Sequence, residues 1–191
     1  MMRAESAGSF HCSAGVFLGA ASAALVACGT GLSAMAAIRT ALIAMLAAIS
    51  AHDVRTRRIE NGSVAAIAGL RAFELLLISC GDLPSALREL RASLFGAAAV
   101  LAFLLLSAHI MGRRTGDAGI GGGDVKLFAA LGFSLGCTRG FSVIALSCAL
   151  LLAVQGIGTL LHRSAGRTFA FAPYIAAAVC IVLLAPLPWG I

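Results

Sequence analysis

The sequence predicts an all-α fold, a polytopic bundle of transmembrane helices, on three observations. Hydrophobic residues make up 60% of the chain and charged residues only 12%, too little charge for a soluble domain of ordinary composition. The apolar residues fall in long, repeated runs, and the mean hydropathy is +1.00. These runs do not alternate as barrel strands do, so helices are the remaining way to satisfy backbone groups in hydrocarbon.

A helix needs roughly 20 residues to cross the hydrocarbon core, and seven runs qualify as candidate spans. The first covers about residues 15–35, after a polar start containing Arg3 and Glu5; Gly29-Thr30-Gly31 either weakens this span or marks its end. The second covers about 36–52, with Arg39 long enough to snorkel to the surface. The third is about 63–80 and the fourth about 92–110. The fifth, about 125–135, is short and has the length of a partly re-entrant segment. The sixth is about 141–161 and the seventh about 169–184. Residues 1–35 are expected to form an extra N-terminal membrane segment, and 36–191 a core of six helices. Leu25-Val26-Ala27-Cys28 has the look of a lipoprotein cleavage box, but one arginine and one glutamate before it make a poor signal peptide. No run is long enough for a soluble domain.

Charge sets the expected orientation. The net charge is +6, and the arginines flank apolar runs, so the excess reads as topological rather than as a nucleic-acid footprint. With the N-terminus inside, the inner loops hold Arg55, Arg57, Arg58, Arg113, Arg114, Lys126, Arg163 and Arg167, and the outer loops hold Arg39, Arg88, Arg91 and Arg139. That bias puts Asp53 and Asp124 on one cytoplasmic boundary.

Those two aspartates are the candidate chemistry. The chain has only eight Asp and Glu residues, and ionisable groups near membrane depth are costly and usually functional. Gly121-Gly122-Gly123 is a flexible turn that delivers Asp124 to the start of an apolar segment, and glycines let backbone approach a substrate closely. Each aspartate also has a plainer role: Asp53 closing a helix and pairing with Arg57 four residues on, Asp124 capping a helix N-terminus. Taken together they suit an acid–base pair. An ionised carboxylate deprotonates water while its protonated partner donates to the scissile carbonyl, and the two titrate as a unit. The dipole at a helix start favours an anion at Asp124, and that at a helix end disfavours one at Asp53, so Asp53 is expected to hold the shared proton.

Other residues read as support. Asn61 is expected to cap the third span or hold the turn after Asp53, with capping preferred. Lys126, two residues beyond Asp124, has the reach to snorkel to lipid phosphate or to bind substrate. Asp117 is read as solvated. Arg71 and Glu74, three apart inside the third span, are expected to pair and face the bundle, because an unpaired charge at mid-bilayer costs about 2.5–3.5 kcal/mol. Gly132, Gly136 and Gly140 give the fifth span a smooth face for close packing, with the second span as the expected neighbour. His52 reads as an interfacial histidine. The six cysteines form no C-x-x-C pair and the histidines lack ligand spacing, so no metal or cofactor is expected. No serine stands in a G-x-S-x-G context.

Three segments carry a resemblance. Asp53-Val-Arg-Thr-Arg-Arg-Ile-Glu-Asn61 resembles the Asp-x-Arg-x-x-x-Ile-Pro-Asn segment of type IV prepilin peptidases. Gly121-Gly-Gly-Asp-Val-Lys126 resembles their Gly-x-Gly-Asp-x-Lys segment, and Phe171-Ala-Pro-Tyr174 their Pro-Phe-x-Pro-Tyr stretch. The resemblance implies an aspartic endopeptidase of the bacterial inner membrane. It would remove the basic leader of prepilin or pseudopilin precursors after a glycine, at the cytoplasmic face. Asp53 and Asp124 would occupy the catalytic positions, Gly121, Gly123, Lys126 and Asn61 would support them, and no metal would be needed. Glu60 replaces the family's proline, which implies a less rigid turn. The Cys-rich insert of the bifunctional members is missing, so no N-methyltransferase activity is expected. In size and in lacking that insert the chain resembles the short, peptidase-only branch of tight-adherence (Flp) pili. The competing readings are a small proton-coupled transporter built on broken helices and a catalytically silent pilus assembly factor. Both acids at one boundary, with no inverted repeat, weigh against the transporter.

Overall fold

A computed structural model describes residues 34–115, 121–160 and 170–184. Residues 15–33 of the first predicted span, the Leu25–Cys28 box, Asp117, Arg163 and Arg167 lie outside them. The described residues form six helices: α1 (Ala34–Thr56), α2 (Asn61–Ser79), α3 (Leu83–Thr115), α4 (Gly122–Leu135), α5 (Cys137–Leu160) and α6 (Ala172–Leu184). Among them there is no strand. The fold is all-helical, as composition requires.

Among the described residues, four segments are long and apolar enough to cross a membrane: Ala37–Thr56, Asn61–Ser79, Leu83–Arg114 and Cys137–Ile157. With 14 residues in α4 and 13 in α6, each of these two helices is only about 20 Å long. Helix α4 covers the predicted short fifth segment and starts three residues before it.

The helix ends differ from the sequence reading, and α3 differs most. It starts nine residues before the predicted fourth span and runs for 33 residues. Arg88, Glu89 and Arg91 are thus helical rather than in an outer loop, and Arg39 and Arg139 likewise lie within α1 and α5. The reason is local. Pro84 sits in the first turn, where its missing N–H costs nothing. The Asp82 carboxylate accepts from the Ser85 hydroxyl, and Arg88 Nη2 donates to the same hydroxyl at 3.1 Å. Polar residues that pair along one helix face extend the helix instead of ending it.

The chain divides into two compact units. One comprises residues up to Arg58 and from Ser142 onward; the other is Ile59–Phe141. In the first, α1 packs on α6. Leu42, Leu46 and Ile49 are buried on α1, and Ile175, Ala178, Val179 and Val182 on α6. Positions 42, 46, 49 and 53 follow one helical stripe, so Asp53 inherits the buried side from its aliphatic neighbours.

In the second unit α4 packs on both α2 and α3, which also touch each other. Ile67, Val100, Leu127 and Leu131 are fully enclosed. The crossing of α3 and α4 is set by glycine. A Cβ at Gly96 would lie 2.8 Å from both Cys137 N and Gly136 C, and one at Gly132 would lie 2.8 Å from Gly96 O. Neither position admits any other residue without moving backbone. The glycine face of α4 therefore meets α3, and Gly96 is the partner that the sequence reading missed. Gly136 is not part of that face. It takes φ +81°, returns its N–H to Gly132 O at 3.0 Å, and ends α4 in a conformation suited to glycine.

Arg71 and Glu74 pair as expected, Nη1 to Oε2 at 2.8 Å. The structure adds two partners from α3. Arg71 Nη2 donates to Glu89 Oε2 at 2.8 Å, and Nε donates to the buried Ser93 hydroxyl at 3.0 Å. A guanidinium in an apolar helix is tolerated because its donors are used across the α2–α3 contact.

Candidate active site

Asp53 lies in the last turn of α1 and is 6% exposed. Its Oδ2 accepts from the backbone N–H of Ala172 at 3.2 Å. Ala172 is the first residue of α6, and the local sequence explains why its amide is directed there. The Phe171 carbonyl accepts from Tyr174 N at 3.0 Å and from Ile175 N at 3.3 Å, and Pro173 has no N–H to give. Among the first four residues of α6, Ala172 is left to supply a donor, and the Asp53 carboxylate takes it. The unfavourable end of α1 is opposed by the positive N-terminus of α6.

The chain turns sharply after Asp53. Arg57 donates its N–H to Asp53 O at 2.7 Å and takes φ +53°, a left-handed conformation uncommon outside glycine. Thr56 Oγ1 donates to the His52 carbonyl at 3.0 Å, which closes the last turn. His52, Arg55, Arg57 and Arg58 are all exposed. Glu60, in place of the expected proline, takes φ −73° and ψ 137°. That φ falls in the range a proline ring enforces, so the turn has a proline-compatible shape without the ring.

Asp124 lies in the first turn of α4. Gly121, extended at φ −65° and ψ 135°, is the N-cap and has no side chain of its own to cap the helix. Asp124 is therefore not the N-cap residue; as third residue of the helix it stands inside the first turn. The glycines before it are not equivalent. A Cβ at Gly121 would meet Asp124 Oδ2 at 3.0 Å, and one at Gly123 would meet the Ile59 Cβ at 3.2 Å, whereas one at Gly122 would meet nothing within 4 Å. The spacing Gly-x-Gly-Asp therefore has a steric basis here: the first glycine makes room for the carboxylate and the second for a neighbouring side chain.

Asn61 is the first residue of α2 and does not cap it; Glu60 is the N-cap, with no side-chain hydrogen bond. The Asn61 Oδ1 instead accepts from Lys126 Nζ at 3.0 Å. Lys126 is exposed, and its ammonium is engaged by the chain itself. The second unit thus gathers Ile59, Asn61, Gly121, Gly123, Asp124 and Lys126, the end of one motif against the whole of another. Asp53 belongs to the first unit, where its carboxylate meets α6. Two members of these surroundings escaped the sequence reading. Ile59 was legible only as a motif position, and the Ala172 amide has no side-chain signature beyond the proline that follows it. Among the described residues, no three His, Cys, Asp or Glu side chains cluster to hold a metal ion.

A family model described as the type IV leader peptidase family matches residues 40–157, more than half of the chain. The match takes in both aspartate-bearing segments and ends before Phe171. No curated protein and no solved structure matches the chain.

Proposed function

The chain belongs to the type IV leader peptidase family, and from that premise we propose that it is a membrane aspartic endopeptidase with Asp53 and Asp124 as its catalytic pair. One carboxylate removes a proton from water as the oxygen attacks the scissile carbonyl carbon. The other donates a proton to the carbonyl oxygen, and the tetrahedral intermediate then expels the amine, which leaves protonated. No cofactor and no methyl transfer enter this reading.

The observation that carries it is the joining of the two motifs. Ile59 and Asn61, six and eight residues after Asp53 in the chain, contact Gly123 and Lys126, which flank Asp124. A pair of carboxylates that must share a proton requires some such tie between the segments that bear them. The substrate is the basic leader of a prepilin or pseudopilin. The precursor's apolar helix would lie in the bilayer, with the leader among the headgroups at the cytoplasmic face of a bacterial inner membrane. Arg55, Arg57, Arg58, Arg113 and Arg114 support that orientation. The absence of a Cys-rich insert supports the short branch of tight-adherence pili.

Co-expression with a type IV prepilin tests the proposal. The intact chain is expected to shorten the precursor, and Asp53→Asn and Asp124→Asn are each expected to lower cleavage by about 10³-fold or more. A variant that still processes the precursor at any pH would remove its aspartate from the mechanism. A precursor left whole by the intact chain would point to the silent assembly factor.

A further inference from the structure

We propose that Asn61, with Ile59, is a positioning residue for Asp124, and that Lys126 acts through Asn61 and not on the substrate. The inference rests on the peptidase reading and deepens it. Two local preferences are broken in one hydrogen bond. Asn at the start of a helix usually caps it, yet Asn61 lies inside α2 and leaves the N-cap position to Glu60, which makes no capping bond. Lys126, the fifth residue of α4, stands just past the first turn, towards the positive end of the helix dipole, which does not favour a cation. Residues that depart from local preference together, and in contact, mark a site whose purpose lies elsewhere. Here the two meet, Lys126 Nζ to Asn61 Oδ1 at 3.0 Å. The bond is charge-assisted and directional.

A second contact acts beside it. Ile59 lies against Gly123 so closely that a Cβ there would be 3.2 Å from the Ile59 Cβ. One residue before Asp124 and two residues after it, the turn is thus held from the same short segment, residues 59–61. Two contacts on either side of a carboxylate fix both its place and its direction, where one would leave a pivot. Proton transfer to water demands that geometry, and a displacement of about 1 Å can cost 10²-fold in rate. Both members of the hydrogen bond are exposed, so their removal leaves global stability nearly unchanged.

The test uses the full chain in detergent or lipid nanodiscs with a prepilin-derived peptide. Asn61→Ala and Lys126→Ala are each expected to lower kcat about 10- to 100-fold with KM within about twofold. The double variant is expected to be no worse than either single one, because both remove the same bond. Asn61→Asp, which keeps an acceptor for the ammonium, is expected to recover most of kcat. If Lys126→Ala raises KM at constant kcat while Asn61→Ala does nothing, Lys126 grips substrate and the proposal is overturned. Additive losses, or no recovery with Asn61→Asp, overturn it as well. If the intact chain cleaves nothing, the peptidase reading falls by itself, and hydrogen exchange then decides the positioning role. The Val125 amide, which donates to Gly121 O at 3.2 Å, is expected to lose protection about tenfold in Asn61→Ala and regain it in Asn61→Asp; unchanged protection overturns the role.

Discussion

Asp53 and Asp124 are held by opposite means. Asp53 is buried, on a stripe shared with Leu42, Leu46 and Ile49, and its carboxylate meets a backbone amide delivered by another helix. Asp124 is half-buried and is surrounded by missing side chains, with Gly121 making room for its oxygen and Gly123 making room for Ile59. The surroundings of Asp53 are therefore sensitive to what the backbone of α6 can donate. Those of Asp124 are sensitive to atoms added at Gly121 or Gly123. Substitutions that look mild by type should sort the two sides in opposite ways.

The largest effect is expected at Ala172. Ala172→Pro deletes the N–H that serves Asp53, and proline is otherwise tolerated at the first position of a helix. A buried carboxylate that loses a donor costs about 1–3 kcal/mol, so cleavage is expected to fall about 10- to 100-fold. Ala172→Ser, which adds bulk but keeps the amide, is the control, because Ala172 is itself 2% exposed. Rates of leader cleavage by the two variants check this. Equal loss in both would make packing, and not the hydrogen bond, the important feature at Asp53.

The glycines give the next effect and the sharper contrast. Gly123→Ala forces the Ile59 side chain to yield, and overpacking of this kind costs about 1–3 kcal/mol. Because the strain falls one residue from Asp124, kcat is expected to drop about tenfold or more. Gly122→Ala meets open space and is expected to keep activity within about threefold, with a slight gain in helix propensity. Steady-state kinetics on the two variants separate a steric requirement from a general need for flexibility. If both variants fail alike, the turn requires mobility, and the comparison of Asp53 with Asp124 loses its physical basis.

How much of this was legible in the sequence follows from range. The apolar runs give the helices because backbone satisfaction in lipid leaves no other choice. Gly121, Gly123 and both aspartates stand out because rare residue types at run boundaries are visible locally. The partners do not stand out. Glu89 reaches Arg71 from 18 residues away, and read alone it belongs to a polar stretch that looks like a loop. That misreading shortened α3 by nine residues at its start. Gly96 faces Gly132 across 36 positions, and one glycine in a helical run has no sign of what it touches. The Ala172 amide is harder still to foresee, since every residue but proline has one. Asn61 and Lys126 were both visible as polar residues at helix starts. Local rules assigned Asn61 to capping and Lys126 to lipid or substrate, because those rules know nothing of residues 65 positions apart.

The smallest effect is at Arg57, where the Asp53 side departs from its own pattern. Arg57 holds φ +53° directly after α1, a conformation that costs an ordinary residue about 1–2 kcal/mol. Arg57→Gly alone would mix relief of that strain with loss of the arginine's other interactions. Arg57→Gly and Arg57→Ala both delete the side chain beyond Cβ, so their difference isolates the backbone. In a regular helix alanine is the more stable of the two by about 1 kcal/mol. Here the order is expected to invert, with the glycine variant more stable by about 1 kcal/mol. Thermal unfolding of both variants in the same detergent reads the difference. An inverted order means that the turn after Asp53 is fixed by left-handed backbone, a constraint of the same kind that Gly136 satisfies at the end of α4. The usual order would leave Asp53 held by burial and the Ala172 amide alone, and the contrast with the glycine-built surroundings of Asp124 would then be complete.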